Sequence, residues 1–124
     1  MSDATAAFFE ALASRGHEPL LEGAKGTVRF DVADGRRTDH WVVAIDRGDV
    51  SVSRENAAAD AVMRTDRPTL DAIVTGRMAT LVALLRGLAQ VEGDPELAVV
   101  FRRVFPGPPH SPRPRRSSVE AGSS

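Results

Sequence analysis

The chain has 124 residues, enough for one compact domain and too few for two ordinary ones. Its formal net charge is −1, with 42% hydrophobic and 27% charged residues, a balance that argues against disorder throughout and against a global field drawing it to nucleic acid. Cysteine is absent, which removes disulfides, thiolate metal sites and cysteine nucleophiles.

No window approaches the ~20 apolar residues of a membrane span. Met1 to Ala7 have neither the basic start nor the apolar run of a secretory signal. The expected location is the cytoplasm, without stable membrane insertion. Lys25 is the one lysine among many arginines, which with abundant alanine suggests a GC-rich bacterial genome.

In chain order, Asp3 or Thr5 caps a first helix. Ala4, Ala7, Phe8, Ala11 and Leu12 form its stripe, Phe9 lies at the margin, and Gly16 ends it. His17 to Gly23 is a connection with Leu20 and Leu21 tucked in. From Thr27 the period becomes two: Val28, Phe30 and Val32 alternate with Thr27, Arg29 and Asp31, the mark of a half-buried strand. Asp34-Gly35 is a turn. A second strand, His40 to Asp46, is apolar from Trp41 through Ile45 and therefore interior to the sheet. Gly48 or Asp49 turns the chain into a third strand with Val50 and Val52 inward and Ser51 and Ser53 outward.

Ala61 to Arg64 makes a short fourth strand. Thr65 or Asp66 caps a helix with Pro68 in its first turn, Leu70, Ile73 and Val74 on its apolar stripe, and Gly76 at its end. A further helix carries Met78, Leu81, Val82, Leu84 and Leu85 and ends at Gly87. Leu88 to Val91 is a fifth strand. Asp94 and Pro95 open a last helix bearing Leu97, Val100, Phe101 and Val104. From Pro106 the composition turns to proline, arginine and serine, and residues 106–124 are expected to form a disordered tail behind a domain spanning 1–105.

The residues offer little polar chemistry. His17, His40 and His110 lack the spaced partners of zinc motifs, no Gly-x-Ser-x-Gly elbow exists, and the glycines form no phosphate loop. No metal and no cofactor is expected. Arg113, Arg115 and Arg116 form a basic cluster that reads as a solvated end. Asp31 and Asp60 are the carboxylates considered for a small-enzyme reading. What remains is apolar: aliphatic helices late in the chain opposite an apolar sheet face, an α+β domain. Periodicity identifies such faces; it does not tell whether the space between them is filled.

The order of signals carries further than any one of them. Gly26-Thr27-Val28-Arg29-Phe30-Asp31-Val32 leads through Asp34-Gly35 to Trp41-Val42-Val43-Ala44-Ile45, then to Gly48-Asp49-Val50-Ser51-Val52. Ala59-Asp60-Ala61-Val62-Met63-Arg64-Thr65 leads to Thr69-Leu70-Asp71-Ala72-Ile73 and Gly76, and Gly87-Leu88 to Val91-Glu92-Gly93-Asp94. From Phe8 to Phe105 this series resembles the sterol carrier protein type 2 family. The resemblance implies a five-stranded mixed, mainly antiparallel sheet with helices packed on one face. It implies a tunnel between them for a fatty acid, a fatty acyl thioester or a sterol-like ligand, bound or transferred without catalysis. Gly87 and Leu88 are adjacent here, where the family often has a lysine between them. The tail replaces the peroxisomal address of some members.

On that reading the tunnel is lined by Leu70, Ile73, Met78, Leu81, Leu84, Leu85, Val100, Phe101 and Val104, above Phe30, Trp41 and Val43 of the sheet. The partner is a lipid or other apolar small molecule and not nucleic acid. The competing expectation is an accessory or dimerisation module with a solid core, serving a second copy or a neighbouring enzyme.

Overall fold

The computed structural model describes residues 3–106. Helix α1, Ala4–Arg15, starts where the Asp3 carboxylate accepts from the Ala6 N–H and stops where Gly16 enters the left-handed region at φ 69°. Its buried face differs from the predicted stripe. Thr5, Phe9 and Leu12 are buried, whereas Ala7 and Ala11 face outward. The shift follows from Thr5, whose N–H and hydroxyl both donate to Asp71 at 3.1 and 2.6 Å, turning a polar residue inward. In the 3-10 turn Pro19–Leu21, Leu21 is fully buried but Leu20 is 50% exposed, correcting the expectation that both tuck in.

Strand β1 (Lys25–Asp34) pairs antiparallel with β2 (Arg37–Asp46) across the two-residue loop Gly35-Arg36. The second strand thus begins three residues before the predicted His40. A second tight turn, Arg47-Gly48, has positive φ at both positions and leads to β3 (Asp49–Ser53). The chain then crosses to the other side of β1, where β4 (Ala61–Asp66) pairs with it in parallel. Asp66 caps helix α2 (Arg67–Val74), so Thr65 belongs to the strand. Helix α3 (Thr80–Leu85) is only six residues long. Strand β5 (Ala89–Gly93) pairs antiparallel with β4. Asp94 caps helix α4 (Pro95–Phe101), which continues into a 3-10 turn, Arg102–Val104.

The sheet order is β3-β2-β1-β4-β5, a mixed five-stranded sheet in an α+β fold, as predicted. Register puts Val28, Phe30 and Val32 in line with Val43 and Trp41 on one side and with Ala61, Met63 and Thr65 on the other. These residues share the inner face, and the buried residues of all four helices pack against it. Arg67 ties three elements together through Asp3, Asp34 and Asp71. Most of the predicted tail, with His110, Arg113, Arg115 and Arg116, lies outside the described residues.

Candidate functional site

The two ends of the helical layer differ in how much side chain they supply. At one end α1 packs over β3 and against α2, which lies over β1 and β4; together they insert Phe9, Leu12, Leu70 and Ile73, all essentially inaccessible, and Leu21 joins them. Over β4 and β5 the cover is α3, whose one fully buried side chain is the methyl of Ala83, and α4, which presents the small Ala98. Too little volume is delivered there to fill the space.

The result is a cavity of about 290 Å³. Its floor is Val28 and Phe30 of β1, Ala61 and Met63 of β4 and Val91 of β5. Thr80 and Leu84 of α3 and Pro95, Ala98, Val99 and Phe101 of α4 form the roof, and Phe105 closes one end. All five phenylalanines and Trp41 form one continuous run of ring contacts: Trp41 to Phe9 at 4.8 Å, Phe9 to Phe30 at 5.0 Å, Phe30 to Phe101 at 5.2 Å, Phe101 to Phe105 at 5.5 Å and Phe105 to Phe8 at 5.3 Å. Phe30, Phe101 and Phe105 of this run line the cavity, and Phe9 and Trp41 belong to the core. The lining is apolar except for the Thr80 hydroxyl and Arg102, which is exposed beside the half-exposed Val99 at the mouth.

Of the residues assigned to the lining from sequence, Phe30, Leu84 and Phe101 border this cavity. Trp41, Val43, Leu70 and Ile73 are buried in the core, and Met78, Val100 and Val104 pack against it. Leu81 and Leu85 face outward, 51% and 79% exposed. The cavity also takes in residues the sequence reading passed over, among them Met63, Val91, Pro95, Ala98 and Phe105. The alternation that placed Phe30 on the inner face places Ala61 and Met63 beside it through the β1–β4 register. No comparable signal marks Ala98.

The polar clusters lie elsewhere. On the sheet face away from the helices, Asp31 accepts from Arg29 Nε at 2.8 Å and lies 2.7 Å from His40 Nδ1. Burial pushes the Asp31 carboxyl up, but the hydrogen bonds from Arg29 and His40 outweigh it and hold the group below its ordinary value. Asp60 accepts from the Thr27 backbone N–H at 2.9 Å and fixes the start of the β1–β4 pairing. His17 sits between Glu22 Oε2 at 2.7 Å and Asp49 Oδ1 at 2.8 Å, and these two hydrogen bonds raise its pKa. Among the described residues no group of three or more His, Asp or Glu is arranged to hold a metal ion, and no helix is long and apolar enough to cross a membrane.

Comparison with known proteins places this architecture. A model of the SCP-2 sterol transfer family matches residues 7–106. No curated protein matches the chain. Among solved structures, sterol carrier protein 2 of Aedes aegypti, in complex with the C16 fatty acid palmitate, superposes with a TM-score of 0.64 at 20% identity, covering 85% of this chain and 99% of that one. Sterol carrier protein 2 of Yarrowia lipolytica, in its apo form, gives a TM-score of 0.66 at 15% identity, covering 84% and 92%. The stereoselective inverting sec-alkylsulfatase of a Pseudomonas species gives 0.65 at 22% identity. That match covers 81% of this chain but 16% of the sulfatase, so the chain spans a small fraction of that enzyme's length. With the family model covering nearly all of the described residues, the chain belongs to the SCP-2 sterol transfer family.

Proposed function

We propose that this chain binds a lipid-like amphiphile without catalysis, in the cavity beneath α3 and α4. One observation carries the reading: about 290 Å³ of space lined by apolar side chains, with a single cationic group, Arg102, at its mouth. Ligand pockets generally span ~300–1,000 Å³, so this one stands at the small end. It suits one alkyl chain of moderate length better than a bulky ring system. Each buried methylene contributes ~0.8 kcal/mol, and association costs ~4–15 kcal/mol. Binding is therefore reversible, as a carrier needs. The palmitate complex of the Aedes aegypti protein supports the same ligand class.

Asp31 and Asp60, the carboxylates considered for an enzyme, engage Arg29, His40 and Thr27 rather than the cavity. The accessory-module reading draws on the sulfatase likeness, in which a domain of this fold forms part of an enzyme. The test separates them. Native mass spectrometry of freshly purified protein is expected to show a co-purifying lipid-sized mass. Leu84→Trp is expected to abolish binding of a fluorescent fatty acid while the circular dichroism spectrum stays unchanged. A correctly folded Leu84→Trp variant that binds as tightly as the parent would sink the assignment.

A further inference from the structure

The two edges of the sheet are finished differently. At β3 the Val50 N–H donates to the Gly16 carbonyl at 2.9 Å, the Glu18 N–H donates to the Gly48 carbonyl at 2.7 Å, and His17 bridges Asp49. The connection after α1 thus covers the start of that edge. At the other edge, β5 has β4 as its one main-chain neighbour among the described residues. Natural sheets blunt an open edge with lysine, proline, a bulge or a covering segment. Ala89-Gln90-Val91-Glu92-Gly93 contains neither lysine nor proline and pairs with β4 in unbroken register.

The direction of the unpaired groups follows from that register. The Asp94 N–H donates to the Asp60 carbonyl at 2.8 Å, one step beyond the Ala61–Gly93 pair. Hydrogen-bonded pairs alternate along an antiparallel ladder. Glu92 and Gln90 therefore aim their main-chain groups at β4, and Gly93, Val91 and Ala89 aim theirs away from the sheet. Val91 lines the cavity, so the exposed side chains of Gln90 and Glu92 stand on the opposite face, where Glu92 pairs with Arg64 at 2.6 Å. Helix α3 packs on β5, and Leu85 of that helix and Leu88 just before the strand are 79% and 38% exposed. Apolar surface therefore lies at the same margin as the open edge.

We propose that β5 is a self-association edge, at which two copies of this chain pair β5 antiparallel to β5 and join their sheets into one. A register centred on Val91 uses the whole strand. Val91 exchanges both main-chain hydrogen bonds with Val91 of the second copy, Ala89 faces Gly93, and Gln90 faces Glu92. Each Glu92 then stands between Arg64 of its own chain and the side-chain amide of the other, with no like charges opposed. The same direction carries Arg86 toward Glu96 of the second copy, both exposed in the single chain. A register centred on Glu92 would set two carboxylates against each other. Residues 106–114 contain five prolines, which donate nothing to a ladder, so that segment is a poor cover for the edge. With the start of β3 covered, β5 finds its match in itself, and the pairing closes at two copies rather than running on as a filament. Neither Gln90 nor Glu92 lines the cavity, so the pairing does not depend on the ligand reading.

The test is sedimentation velocity and amide hydrogen exchange on the full chain over a concentration series. A weak dimer is expected, from the small area that a five-residue edge buries. The Ala89, Val91 and Gly93 amides are expected to exchange more slowly as concentration rises, and those of β3 to stay unchanged. Gln90→Glu is expected to raise the dimer dissociation constant about tenfold, because two carboxylate contacts form per dimer. Its own fold is expected to hold, since position 90 faces Arg64 across the β4–β5 pair. Gln90→Lys is expected at least to preserve the dimer, and decides the matter should the Glu variant fail to fold. A parent that stays monomeric up to about 1 mM overturns the proposal, as does a Lys variant that dimerises more weakly than the parent. A dimer indifferent to the charge at position 90 moves the contact away from β5. Protection of β5 that does not vary with concentration overturns self-association in favour of a cover from residues 107–124 of the same chain, and growth beyond two copies overturns the closed pair.

Discussion

Phe9 stacks on Trp41 with ring centroids 4.8 Å apart and planes 19° from parallel. The stack fastens α1 to β2 and, through Phe30, reaches the rings that line the cavity. Phe9→Ala is therefore expected to cost about 3–5 kcal/mol in chemical denaturation, the usual loss for a fully buried ring. Fatty-acid affinity of the folded variant is expected to change little. A loss below about 1 kcal/mol would show that the neighbouring rings close the gap.

Among the described residues Arg102 is the one charged side chain lining the cavity, and it is exposed. An exposed ion pair contributes up to about 1 kcal/mol, or roughly fivefold in affinity. Arg102→Gln is expected to weaken a fatty acid by up to about that factor and to leave a fatty alcohol of equal length unaffected, as read by displacement of a fluorescent probe. Equal weakening of both ligands would assign Arg102 a packing role through its aliphatic stem.

Gly93 has φ 92°, and a Cβ there would lie 2.3 Å from the Asp60 carbonyl oxygen and 3.0 Å from Ala61 Cα. Both neighbours are backbone and cannot swing aside. Gly93→Ala is expected to destabilise by more than the ~1–3 kcal/mol of a strained φ alone, and to weaken ligand binding by shifting Val91 on β5. Gly87→Ala is the control. Gly87 has φ 73° but open space around it, so thermal unfolding is expected to register only the backbone strain there. Equal losses at the two sites would refute the clash.

His17 is held above its ordinary pKa by its hydrogen bonds to Glu22 and Asp49. A group raised in the folded state stabilises fully below its unfolded pKa of about 6.5. That contribution disappears as pH rises through the higher folded value. Asp31 works in the opposite sense: its lowered pKa stabilises above the unfolded value and is lost as pH falls through the folded one. Denaturation midpoints of His17→Gln and the parent are thus expected to diverge at mildly acidic pH and to converge at alkaline pH. Curves that stay parallel throughout would show that the hydrogen bonds of His17 to Glu22 and Asp49 add no pH-dependent stability.

The sheet was legible because period-two alternation is a strong code: Val28, Phe30 and Val32 marked the inner face, and turns at Gly35 and Gly48 set the meander. The third helix was legible as an element but not as a direction. Leu81, Val82, Leu84 and Leu85 are all apolar, so no stripe distinguishes inside from outside, and the structure buries Ala83 and half-buries Leu84 instead. The first helix was rotated because a threonine bonded to Asp71 looks inward. The cavity itself left the weakest trace. It is formed by what α3 and Ala98 do not occupy, and a missing side chain has no periodicity.

The parallel pairing of β1 with β4 has a kinetic corollary. β1 and β2 meet through ten residue pairs across a two-residue loop, so their contacts are close along the chain. β4 reaches β1 only after the chain has laid down β3 at the far edge, and such distant contacts form slowly. On this topology the strands under the cavity are expected to join a hairpin already formed and to open first. Amide protons of β5 exchange with deuterated solvent ahead of those of β1 and β2 if this order holds, and a bound ligand slows the first group selectively.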